Sequence, residues 1–131
     1  MGWEWLCAGT PRRLDTSKAH RFGSRTCFNE TQRTVFLGAD AYPGESMTAN
    51  ARLGILACLA HELAHWERFE AGYNRPLDAP DNRLDEAETS LRATFHPRLN
   101  EIDRDDLAED ARDRITEWLA LRAETRAKEN E

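Results

Sequence analysis

Leu53, Leu56, Leu59, Ala60, Leu63 and Ala64 recur three and four residues apart, the spacing of one helix face, and predict a long helix over residues 48–71. Ser46 or Thr48 supplies a side-chain oxygen for its N-cap, and Gly72 is its stop signal. A second helix is expected over 81–95, with Leu84, Ala87, Leu91 and Phe95 on one face and Pro97 beyond its end. A third is expected over 104–127, buried along Leu107, Ala111, Ile115, Trp118 and Leu119. Ahead of the helices the pattern changes. Thr26, Cys27 and Phe28 form one short run rich in strand formers, and Thr34, Val35, Phe36 and Leu37 form another. The polar stretch 29–32 between them reads as a turn, so residues 25–38 predict a β-hairpin. Residues 73–82, with two prolines and two asparagines, predict a loop.

The expectation is therefore an α+β domain over residues 25–131, a small antiparallel sheet followed by three helices. Residues 1–24 resist a regular reading, because Gly9, Pro11, Gly23 and scattered charges interrupt Trp3, Trp5 and Leu6. They are expected to form an N-terminal arm that packs on the domain or docks a protein partner, with Trp3 and Trp5 as the contact residues. Trp66 is expected to pack against the second or third helix, and Trp118 in the core.

Composition narrows the function. A chain of 131 residues suits one domain with a modest core. The net charge of −6, from 24 acidic and 18 basic residues, argues against a nucleic-acid partner. Arg12, Arg13, Lys18, Arg21 and Arg25 form the one basic stretch, which reads as a solvated segment. Cys7, Cys27 and Cys58 are odd in number and widely spaced, so no disulfide framework or Cys-pair zinc site is expected. No run is apolar enough to span a membrane and no signal pattern opens the chain, so a cytoplasmic location is expected.

The chemistry concentrates in the first helix. His61 and His65 are four apart, so both imidazoles project from one face, one turn apart, at the spacing that lets two nitrogens reach one Zn²⁺. Glu62 follows the first histidine and can act as a proton acceptor and then donor at a zinc-activated water. The string His61-Glu62-Leu63-Ala64-His65 is the HExxH signature of zinc metallopeptidases. Two unrelated surface histidines would give the same string. The uncharged neighbours Leu59, Ala60, Leu63 and Ala64 instead mark this stretch as buried, where polar groups need partners. A third ligand is expected from Asp85, Glu86 or Glu88. Position around the helix favours Glu88, which lies nearer the apolar stripe, or neither glutamate.

The segment Leu84-Asp85-Glu86-Ala87-Glu88-Thr89-Ser90-Leu91 resembles the second zinc-binding helix of the gluzincins, the metallopeptidases of the thermolysin type. The resemblance implies Glu86 as third ligand and puts Ser90 where the family has an Asp that orients a zinc-bound His. The order of strand, HExxH helix, later Glu-Ala helix and Pro97 also resembles the small ImmA/IrrE-like peptidases, over residues 25–97. Glu88, where that group has Asn, and Glu67, where many zincins are apolar, depart from the pattern. The resemblance implies a zinc endopeptidase, with one Zn²⁺ per chain, that cuts a peptide bond in a protein or peptide substrate as regulatory proteolysis. It also implies an edge strand pairing with the substrate backbone, for which Thr34, Val35, Phe36 and Leu37 are the candidate; a core hairpin strand is the other reading of the same residues, and both can hold. His96, Tyr73, Tyr42, His20 and Arg98 are the candidates for stabilising an oxyanion, with no choice among them. The competing expectations are a zinc-stabilised interaction module without turnover and a metal-free adaptor.

Overall fold

The computed structural model describes residues 2–41 and 53–130. Its elements run α1 (Gly2–Cys7), β1 (Arg13–Asp15), β2 (Cys27–Asn29), β3 (Thr34–Phe36), a 3-10 turn (Ala39–Ala41), α2 (Ile55–Glu70), α3 (Asp81–Thr94) and α4 (Glu101–Glu129). The fold is α+β, as the pattern of apolar positions predicts.

The hairpin forms as expected, with β2 antiparallel to β3 and Phe28 opposite Val35. A third strand joins it. β1 pairs with β3 in parallel, Leu14 opposite Val35, and the order across the sheet is β1-β3-β2. This corrects the expected substrate edge. Thr34, Val35 and Phe36 form the central strand, paired on both sides, and Leu37 N donates to Asp15 O at 2.9 Å. Among the described residues, the sheet edge beside α2 that no strand covers is that of β2.

The first 24 residues are built into the same body. Trp3 and Leu6 are buried on α1, and the Trp3 indole donates to Arg12 O at 2.8 Å. Trp3 is thus core, not a partner contact; Trp5 is 55% exposed under the Arg98 guanidinium. Trp66 packs on Trp3 and stacks on Phe28 at 5.0 Å, toward α1 and the sheet rather than toward α3 or α4. Cys7 and Cys58 are buried and Cys27 is exposed, all as free thiols.

α2 is the central helix, buried without a break from Ala57 to Trp66. Such a helix is apolar or internally satisfied all round. It starts at Ile55, after an extended Gly54 that supplies no side-chain cap; the proposed caps Ser46 and Thr48 lie outside the described residues. Gly72, at φ +90°, turns the chain away as predicted, in a backbone region that favours glycine.

α3 and α4 depart from their predicted stripes. Leu91 is 50% and Phe95 77% exposed, while α3 buries Asp85, Ala87, Thr89, Ser90 and Ala93. α4, capped by the Asn100 side chain on Asp103 N, buries Asp103, Leu107, Asp110, Ala111 and Arg114. Ile115 and Leu119 are exposed, and Trp118 is half-buried. Both helices turn polar residues inward: Thr89 and Ser90 of α3 meet the histidines of α2, and Asp110 and Arg114 of α4 meet Ser90 and Glu86. Among the described residues no helix is long and apolar enough to cross a membrane.

Candidate metal centre

His61 and His65 lie on α2 and Glu86 on α3, and their ligand atoms fall within 4.8 Å of one another. The imidazoles meet edge to face. His61 Nε2 is 2.9 Å from Glu86 Oε2, and His65 Nε2 is 3.0 Å from Glu86 Oε1. One carboxylate thus spans two imidazole nitrogens that converge from successive turns. Both histidines are buried, and Glu86 is only partly exposed. Two imidazoles and a carboxylate aimed at one point form a donor set that can hold a metal ion. Of the carboxylates offered by α3, Glu86 is the one brought there. Glu88 is exposed and pairs with Arg68 at 2.9 Å, and Asp85 faces Arg68 and Arg75.

The outer nitrogens of the histidines are held as well. A metal on Nε2 requires the proton on Nδ1. His61 Nδ1 lies 2.7 Å from Ser90 Oγ, and Ser90 donates its own hydrogen to Asp110 Oδ2 at 2.6 Å. The hydroxyl is therefore free to accept from His61. Arg114 Nε donates to the same Asp110 oxygen at 2.7 Å, and its Nη1 reaches Glu86 Oε2 at 3.3 Å. The bonds close a ring: His61, Ser90, Asp110, Arg114, Glu86 and back to His61. Ser90 replaces a carboxylate in the resemblance, yet here the carboxylate stands one hydroxyl behind it, on α4. On the other side, Thr89 Oγ lies 3.4 Å from His65 Nδ1, donates to Asp85 O and accepts from Arg68 at 2.6 Å.

Burial acts on every titratable group of the centre and prevails at two of them. It pushes the Glu62 carboxyl up to about 7 and the His65 imidazole down to about 4. For Glu86, burial is outweighed by the hydrogen bonds and charges of the two histidines, which hold its carboxyl well below the usual range. For His61, burial is likewise outweighed by Glu86, and its pKa rises.

A cleft of about 800 Å³ opens over Glu62, His65 and Glu86. One wall is residues 25–31, including β2; the other is the loop 74–77 with Asn82 and Arg83. Among the described residues, the sequence candidates for an oxyanion donor do not line it. The His96 ring binds Leu6 O, Arg98 binds Trp5 O, Tyr73 lies against Arg68, and His20 is on the exposed loop before β2. Tyr42 lies outside the described residues. The residues missed from sequence are Thr89, Arg75, Asp110 and Arg114. For the last two a signal existed: an acid and a base four apart, on the helix face that also carries Leu107 and Ala111.

No protein-family model matches this chain, and no curated protein or solved structure matches it significantly.

Proposed function

We propose that the chain is a zinc-dependent endopeptidase of gluzincin type, holding one Zn²⁺ between His61, His65 and Glu86. The observation that carries the reading is the convergence of two buried imidazoles and Glu86 beneath an open cleft, with Glu62 on the same floor. Two nitrogens and one oxygen suit zinc, and three protein ligands leave a position for chemistry. When bound, zinc supplies a Lewis acid that lowers the pKa of a water and polarises a carbonyl.

The chain's own residues would do the rest. Glu62 takes the proton of the attacking water and returns it to the leaving amine; a carboxyl raised by burial is suited to both roles. Ser90 and Asp110 would keep the His61 proton on Nδ1, leaving its Nε2 lone pair for a metal. The free edge of β2, not β3, offers main-chain pairing to a substrate strand. A protein partner cut at one site, in regulatory proteolysis, is the proposed substrate.

The test combines metal content with turnover. Protein purified without added zinc should carry close to one zinc per chain, and His61→Ala or Glu86→Ala should lose it. Wild type should cleave members of a random peptide library, and Glu62→Gln should keep the metal while cutting about 10²–10⁴-fold more slowly. Equal cleavage by both forms would remove Glu62 from the mechanism. A zinc-loaded protein that cuts nothing would instead be a metal-stabilised interaction module.

A further inference from the structure

The cleft over the metal centre carries a charge opposite to that of the chain. The net charge is −6 overall, yet Arg25, Arg75, Arg83 and Arg114 line the cleft against Glu30, Glu62 and Glu86. Glu62 and Glu86 lie on the floor, and Glu86 is in contact with Arg75 and Arg114. Among the described lining residues this leaves Glu30 as the only carboxylate on the walls. A divalent ion on the floor makes the balance more positive still.

The cations are also arranged. Arg25 directly precedes β2, is exposed, and has no side-chain partner among the described residues. Its main chain is fixed from two sides. A Cβ at Gly38 would overlap it, and the next residue, Thr26, donates its N–H to the buried Asp40 carboxylate at 2.7 Å. Arg83, on the facing wall, has an exposed Glu117 as its ion-pair partner at 2.8 Å, a pair that exchanges readily with an incoming carboxylate. The basic character continues past Arg25. Residues 16–29 contain Lys18, Arg21 and Arg25 and no Asp or Glu. The Lys18 ammonium lies 4.9 Å over the ring of Phe36, the residue paired with Cys27 at that same end of β2. Glu30 sits at the other end. A strand laid along β2 therefore meets a gradient, basic at Arg25 and acidic at Glu30.

We propose that the cleft selects an acidic peptide, taking an Asp or Glu side chain at the Arg25 end of β2, with Arg83 contributing from the facing wall. The carboxylate is recognised by charge-assisted hydrogen bonds to guanidinium, which fix geometry as well as sign. The proposal deepens the peptidase reading and rests on it for cutting, but not for binding.

The experiment uses the zinc-loaded Glu62→Gln full chain and two labelled decapeptide pools, alike except for fixed Glu or fixed Lys positions. Fluorescence anisotropy should show the Glu pool binding on the order of tenfold more tightly at low salt, with the gap closing as salt rises. Arg25→Glu, at an exposed position, should weaken the Glu pool and strengthen the Lys pool, and Arg83→Glu should do so to a smaller extent. Circular dichroism verifies that each variant is folded, and Arg25→Gln serves if Arg25→Glu is not. Equal binding of the two pools, or indifference of both to Arg25 and Arg83 substitutions, overturns the proposal. Cleavage by wild type is scored separately. Charge-selective binding without cleavage overturns the peptidase and keeps the acidic-peptide site; cleavage without charge selectivity does the reverse.

Discussion

The two histidines of the centre come from one helix and receive unequal support. His61 is fully buried, and a 2.7 Å contact to Ser90 leads to a carboxylate and a guanidinium on α4. His65 has a longer 3.4 Å contact to Thr89, which is anchored on the main chain of its own helix and on Arg68. Each imidazole meets a hydroxyl, but behind Ser90 stand a carboxylate and a guanidinium on a third helix, whereas the more distant Thr89 is backed by a carbonyl of its own helix and by Arg68. A ligand's orientation therefore depends less on its own helix than on what stands behind its outer nitrogen.

Glu86→Ala removes the residue that both sides share and should have the largest effect. Zinc affinity should fall by more than the roughly 100-fold that outer changes reach, read by competition with a chromophoric chelator. Asp110→Asn breaks the relay behind His61 and should cost about 10–100-fold in zinc affinity. In a Ser90→Ala background the same change should cost much less, since the relay is already cut; full additivity in that cycle would show that Asp110 does not act through Ser90.

Acidification should separate the histidines by about tenfold per pH unit. The His61 pKa is raised, so it protonates first, and zinc affinity should start to fall as pH drops through that value with a slope of one proton. His65, lowered to about 4, should add a second proton only near that pH. The folding linkage of His65 has the matching sign. Its neutral form is favoured in the fold, so its contribution is present above 6.5, the ordinary value, and is lost as pH falls toward 4. A two-proton slope already at pH 6 would mean that the histidines are not differentiated. Thr89→Val, near-isosteric, should be mildest, lowering zinc affinity by less than about tenfold. If it matched Asp110→Asn, the contrast between the two sides would be gone.

His61, Glu62 and His65 are readable because their placement is local: residues four apart on a helix share one face, even though the ring orientations are set by the surroundings. The hairpin is readable for a similar reason. β1 is not, since three residues of mixed character carry no alternation, and its parallel pairing with β3 is set by distant chain. The omission made β3 look like an edge. On α3, hydrophobicity pointed to Leu91 and Phe95, but the buried face carries Thr89 and Ser90, which meet the histidines, and Asp85, whose carboxylate faces Arg68 and Arg75. Periodicity favoured Glu88 or neither glutamate as third ligand, and the family resemblance pointed to Glu86, the residue that meets both imidazoles. Asp110 and Arg114 were hidden by abundance, an acid and a base in a helix crowded with both.

The ring through His61, Ser90, Asp110, Arg114 and Glu86 also bears on the order of assembly. Every member has a partner from within the chain: Glu86 bridges both imidazoles, and Arg114 spans two carboxylates. Such a site leaves no buried charge waiting for an ion. The newly made chain can complete its fold without an ion, and a metal taken by this donor set would enter a finished receptor.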